Sequence, residues 1–151
     1  MPGGEAPGTL GGMLRVPANV YSEIVGHCLG GLPEEACGLL GGDRSSGSVV
    51  RCYPARNAAA SAKLYEVDGR DYLRADRDAE GSGLEIIGVF HSHTHTDAYP
   101  SPTDVARASD PASDPGWHYV IVSLRDTHPT LRSYRIHGDH VDEEPVVVGP
   151  G

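Results

Sequence analysis

Apolar residues recur at Val20, Tyr21, Ile24, Val25, Cys28 and Leu29, the spacing of one stripe on an amphipathic helix. Pro17 suits the opening of that helix, and Gly30, Gly31 and Pro33 close it. The pattern then changes to short apolar runs at Ala36 to Gly42 and Ser48 to Tyr53, two strands predicted around a polar turn from Asp43 to Gly47. A third short strand is expected over Leu64 to Val67. Asp68 is placed to cap a second helix that runs through Ala79 and ends at Gly81-Ser82-Gly83. Leu84 to Phe90 reads as a buried strand. A polar stretch from His91 to Pro100 follows, then a short helix from Pro102 to about Ala108, then loop chemistry from Ser109 to Pro115. Tyr119 to Leu124 and Thr130 to Ile136 complete the predicted strands. Helices interleaved with strands put the chain in the α/β or α+β class, around one mixed sheet.

The pattern is sparse at both ends. Residues 1–12 carry five Gly and two Pro and read as a disordered tail, 13–138 as one domain, and 139–151 as a C-terminal tail that the sequence does not place. At 151 residues the chain can bury a core without disulfide or metal support. A net charge of −9 argues against nucleic acid or an anionic membrane as the main partner. No apolar run is long enough to cross a bilayer. Three Cys without C-x-x-C spacing point to a reducing cytoplasm.

Candidate chemistry gathers after the strongest strand. His91 and His93 are two apart, so continued strand geometry would project both imidazoles from one face, where they could share a metal ion. A solvated His-rich loop is the competing reading. Ser101-Pro102-Thr103-Asp104 has the form of a helix-opening capping box, which does not exclude a second role for Ser101 or Asp104.

Taken together, His91-x-His93, seven residues, Ser101, two residues and Asp104, preceded by Glu35-Ala36-Cys37-Gly38, resemble the signature of the JAMM (MPN+) metallopeptidases. The resemblance implies a single JAMM/MPN-type domain, a mixed curved sheet flanked by helices and similar to the cytidine-deaminase fold. It implies one Zn2+ per chain held by His91, His93 and Asp104, leaving a fourth position for water. It also implies Glu35 as general base and Ser101 as the donor to the developing oxyanion. The spacing to Gly38 favours Glu35 over Glu34.

The short form of the chain, with Glu-Ala-Cys-Gly and Tyr99-Pro100-Ser101, looks most similar to bacterial Mec-type members. That resemblance implies a ubiquitin-like sulfur-carrier partner with a Gly-Gly C-terminus, cleaved at the amide after its last Gly with release of cysteine, in cysteine biosynthesis. A JAMM deubiquitinase-like isopeptidase and a non-catalytic MPN scaffold are the alternatives, and a homodimer is compatible with the sequence. Thr94 stands where the family often has Pro, and His95 is an extra His read as a solvated loop residue. A rival metallo-β-lactamase-like register, His93-x-His95-x-Asp97, lacks its final His because residue 98 is Ala98. Barrel amidohydrolases also use H-x-H, but their fold needs about 250 residues.

Overall fold

The computed structural model describes residues 12–108, 114 and 116–150. Its elements run β1 (Leu14–Pro17), α1 (Ala18–Gly30), β2 (Cys37–Asp43), β3 (Ser48–Ala55), α2 (Gly69–Gly81), β4 (Glu85–His93), α3 (Pro102–Ala108), β5 (His118–Ser123), β6 (Thr130–His137), β7 (His140–Glu144) and β8 (Val146–Gly149). One mixed sheet has the order β7-β6-β5-β4-β2-β3-β1-β8. β4 and β5 are parallel, whereas β2 pairs antiparallel with both β3 and β4.

Neighbouring residues of the central strands belong to different cores. Leu40, Ile87, Phe90, Val120 and Val122 pack with Val20, Ile24 and Cys28 of α1. Leu39, Ile86, Val89, Tyr119 and Ile121 pack with Ala75 and Ala79 of α2. Strand side chains alternate between faces, so a strand covered by a helix on each side reads as an unbroken apolar run. Gly38 sits opposite Phe90 in the β2–β4 ladder, and a Cβ there would collide with the Phe90 ring and the Tyr53 carbonyl.

Asp68 caps α2 as the sequence predicts, accepting from the Arg70 and Asp71 N–H groups at 3.0 and 3.1 Å. The expected strand over Leu64 to Val67 does not form; only a single bridge links Asn57 and Val67. The cause is chemical, because the Asn57 side chain takes the Leu64 carbonyl and the Glu66 N–H that a neighbouring strand would need. The segment after Gly138, which sequence left unplaced, supplies β7 and β8. These lie at opposite edges of the sheet, with β8 parallel to β1 in register from Leu14↔Val146 to Pro17↔Gly149. Most of the expected N-terminal tail and of the loop from Ser109 to Pro115 lies outside the described residues.

Among the described residues no helix is long and apolar enough to cross a membrane. Cys28, Cys37 and Cys52 are free and buried, and burial pushes each thiol up to about 12. At that value they are inert core residues, not nucleophiles.

Candidate metal centre

β4 continues three residues beyond its predicted end, and that extension carries the chemistry. His91 pairs with Cys37 of β2 and Ile121 of β5, and His93 pairs with Ser123. Clamped between two strands, both imidazoles point to the same face. Ser92, between them, points the other way and accepts the Ala36 N–H at 2.9 Å. The capping box at the start of α3 brings in the third donor. The Asp104 N–H donates to Ser101 Oγ at 3.0 Å, and the Ser101 N–H donates to Asp104 Oδ2 at 2.9 Å.

The same Asp104 Oδ2 lies 3.2 Å from His91 Nε2 and 3.0 Å from His93 Nε2, and the two Nε2 atoms are 3.2 Å apart. His93 Nδ1 sits 2.8 Å from the Asp97 carbonyl, which can only accept. The proton of a neutral His93 ring is therefore on Nδ1, and its Nε2 lone pair faces Asp104. Acceptors turned toward one another this closely call for a cation or a shared proton between them. Donors at 2.0–2.1 Å from zinc in a tetrahedron are about 3.3 Å apart. Two buried imidazoles and a partly buried carboxylate, converging at nearly that spacing, fit a metal ion.

The electrostatics agree with a tightly coupled set. Burial alone would raise the Asp104 carboxyl, but the His91 and His93 rings and the Ser101 N–H hold it well below the usual carboxylate range. Burial pushes His91 down. It would also lower His93, where Asp104 and the Asp97 carbonyl prevail and raise it.

Glu35 lies just ahead of β2, alongside this cluster, and is only 6% exposed. Burial pushes its carboxyl up to about 7, with His93 opposing the rise, Asp104 adding to it and Arg107 opposing it. Glu34 is exposed. Structure thus brings together all five residues singled out in the sequence.

Other neighbours carried no sequence signal. Tyr65 stacks on His91, with ring centroids 4.1 Å apart and planes at 16°. Arg107 donates to the Tyr65 carbonyl. Thr94 Oγ1 donates to the Ala62 carbonyl at 3.1 Å, so it ties down the residue after His93 where a Pro could not. These contacts join segments distant in the chain and have no local spacing to betray them. A groove of about 500 Å³ is lined in part by Val67, Tyr72, Arg107, Trp117 and the same Tyr65 that stacks on His91. His95 is exposed and outside the ligand group, and Asp97 contributes its carbonyl, so the β-lactamase-like register is not formed.

Residues 17–137 match the family described as prokaryotic homologs of the JAB domain. The CysO-cysteine peptidase of Mycobacterium tuberculosis (strain ATCC 25618 / H37Rv) is 41% identical over 137 residues, covering 90% of this chain and 91% of that protein. The desampylase of Haloferax volcanii is 34% identical over 115 residues, covering 73% and 80%. The solution structure of protein DSY2949 from Desulfitobacterium hafniense superposes with a TM-score of 0.82 at 36% identity, covering 92% of this chain and 94% of that one. With its sheet, its buried ligand cluster and these relatives in view, the chain belongs to the prokaryotic JAB-domain family.

Proposed function

We propose that the protein is a zinc-dependent peptidase that hydrolyses the amide bond after the C-terminal Gly of a ubiquitin-like sulfur-carrier protein, releasing cysteine. The chemical half of this reading rests on one observation: two imidazoles and a carboxylate converge beside the buried Glu35. His91, His93 and Asp104 are the residues that would hold the ion. Zinc bound there supplies a Lewis acid and lowers the pKa of water to about 7. Glu35 takes the proton of the attacking water and passes it to the leaving amine as the C–N bond breaks. Ser101 Oγ accepts the Asp104 N–H, so its own O–H remains able to donate to the substrate carbonyl oxygen as charge develops there.

The substrate half is supported by the 41% identity to the mycobacterial CysO-cysteine peptidase over nine-tenths of the chain. A Gly-Gly tail has no side chains to hold its carbonyl away from the site. Release of cysteine places the enzyme in cysteine biosynthesis, and three free thiols suit a reducing cytoplasm. The Haloferax desampylase favours a second reading, an isopeptidase on ubiquitin-like conjugates.

Mass spectrometry of four substrates at matched concentration, with chelator controls, separates these readings. A carrier–Gly-Gly–cysteine adduct should yield free cysteine and intact carrier, while an unstructured tail peptide and diubiquitin react poorly. Efficient cleavage of a carrier–lysine isopeptide with no action on the cysteine adduct would transfer the assignment to the second reading.

A further inference from the structure

Glu35 lies outside the regular β2–β4 ladder, whose last pair is Cys37↔His91. Its backbone is instead held by the loop between β3 and α2. The Glu35 N–H donates to the Ser61 carbonyl at 2.7 Å, and the Glu35 carbonyl accepts from Asn57 Nδ2 at 2.9 Å. Asn57 also organises that loop. Its Nδ2 donates to the Leu64 carbonyl at 3.0 Å, and its Oδ1 accepts the Ala59 and Glu66 N–H groups at 3.0 and 2.9 Å.

An amide side chain has two donor hydrogens and two acceptor lone pairs, and here all four are used. The opposite amide orientation would set NH2 against two N–H groups and oxygen against two carbonyls, so the orientation is dictated by its partners. The loop so shaped delivers two further contacts to the site. Tyr65 stacks on His91, and the Ala62 carbonyl receives Thr94 Oγ1 beside His93. One side chain thus ties the segment carrying the acid to the segment packed on the ligand rings.

We propose that Asn57 is a positioning residue for the hydrolysis: its amide holds the main chain of Glu35 in the place from which that carboxylate acts on water. The inference rests on the proposed role of Glu35 as general base. Displacing a reacting group by about 1 Å can reduce turnover by about 100-fold without weakening substrate binding.

The test uses the zinc-loaded full chain and the carrier–Gly-Gly–cysteine adduct. Asn57→Asp is nearly isosteric but turns an oxygen toward the Glu35 and Leu64 carbonyls. Asn57→Ser, which is neutral and too short to span both, serves if the first variant does not fold. Either should lower kcat at least about 30-fold, leave KM within about threefold, and retain one zinc per chain. Val20→Ala, a core change in α1, is the control for lost stability; at a similar fall in Tm it should keep its kcat. The decisive measurement repeats the Asn57 substitution in a Glu35→Gln background. Residues that act through one another are non-additive, so the further loss of kcat there should be less than about threefold. An equal loss in both backgrounds, or an unchanged kcat in a folded Asn57 variant, overturns the proposal. If Glu35→Gln alone leaves kcat intact, the base assignment itself fails, and this inference fails with it.

Discussion

Two buried histidine–carboxylate clusters occupy opposite ends of the same parallel strand pair. His91, His93 and Asp104 gather where β4 ends. His118 opens β5 and pairs in register with Gly88, five rows back from the His93↔Ser123 pair. In the second cluster His118 Nδ1 lies 2.6 Å from Glu144 Oε2, which also accepts from Ser133 Oγ at 2.6 Å, while Arg135 approaches the other oxygen at 3.6 Å. There the His118 ring and the Ser133 hydroxyl both donate to one Glu144 oxygen, so that each of these close contacts joins a donor to an acceptor, although the other Glu144 oxygen has no hydrogen-bond partner. In the first, the His93 Nε2 lone pair faces the Asp104 carboxylate. A buried histidine beside a carboxylate is therefore not in itself a metal site; unmatched acceptors converging on one point are the distinguishing feature.

The sharpest way to break this comparison is to remove one histidine from each cluster. His93→Ala should lose bound zinc and all measurable turnover, as read by metal analysis and the cysteine-release assay. His118→Ala should keep its zinc. Loss of zinc from the His118 variant would show that the two clusters are not separate in function.

Next in size is the acid that belongs to the first cluster without being one of its donors. Glu35→Gln should retain zinc and lose at least ~100-fold in turnover, whereas Glu34→Gln, at an exposed position, should be nearly silent. Equal losses would mean that the acid has been assigned to the wrong residue.

The second cluster should show its weight in stability. His118→Ala leaves Glu144 buried without its strongest partner and should cost about 3 kcal/mol in denaturant unfolding, with the turnover of folded molecules unchanged.

The pH dependence of stability should differ in sign between the two carboxylates. Burial raises Glu35 from 4.5 to about 7, so in the metal-free protein its contribution falls as pH rises from 4.5 to about 7. Burial would likewise raise Glu144, but His118 and Ser133 outweigh it and lower the group below 4.5. Its contribution is present above 4.5 and lost as pH falls through the depressed folded value. Chemical denaturation across this range should show both slopes, Glu35→Gln abolishing the upper one and Glu144→Gln the lower.

Smallest is Ser101→Ala, which removes a helix cap for about 1 kcal/mol. Measuring Tm and turnover on one sample tells whether its hydroxyl also serves the oxyanion. A lower Tm with a normal rate would make Ser101 purely structural.

Local pattern was enough for much of this molecule. The helix stripe of α1, the Asp68 cap of α2, the runs of β2 to β6 and the capping box of α3 depend on near neighbours in the chain. So does the H-x-H placement of His91 and His93, because alternation along a strand needs no partner to be read. The short strand β1 and the edge strands β7 and β8 were not legible, since four or five residues carry too little periodicity and their pairing is decided across the whole chain length. Leu64 to Val67 misled in the other direction, with strand-like residues whose backbone is bonded by Asn57.

Sequence by itself determined the residue types and their order: two imidazoles on one strand face, a carboxylate at a helix start, an acid ahead of a Gly-requiring strand. Only the tertiary structure decided that three of their atoms lie within 3.2 Å of one another. It also decided that Glu35 is desolvated and that Tyr65, Thr94 and Asn57 brace the site. Burial and the convergence of side chains from different segments are properties of packing between parts far apart in the chain, and no spacing along the chain encodes them.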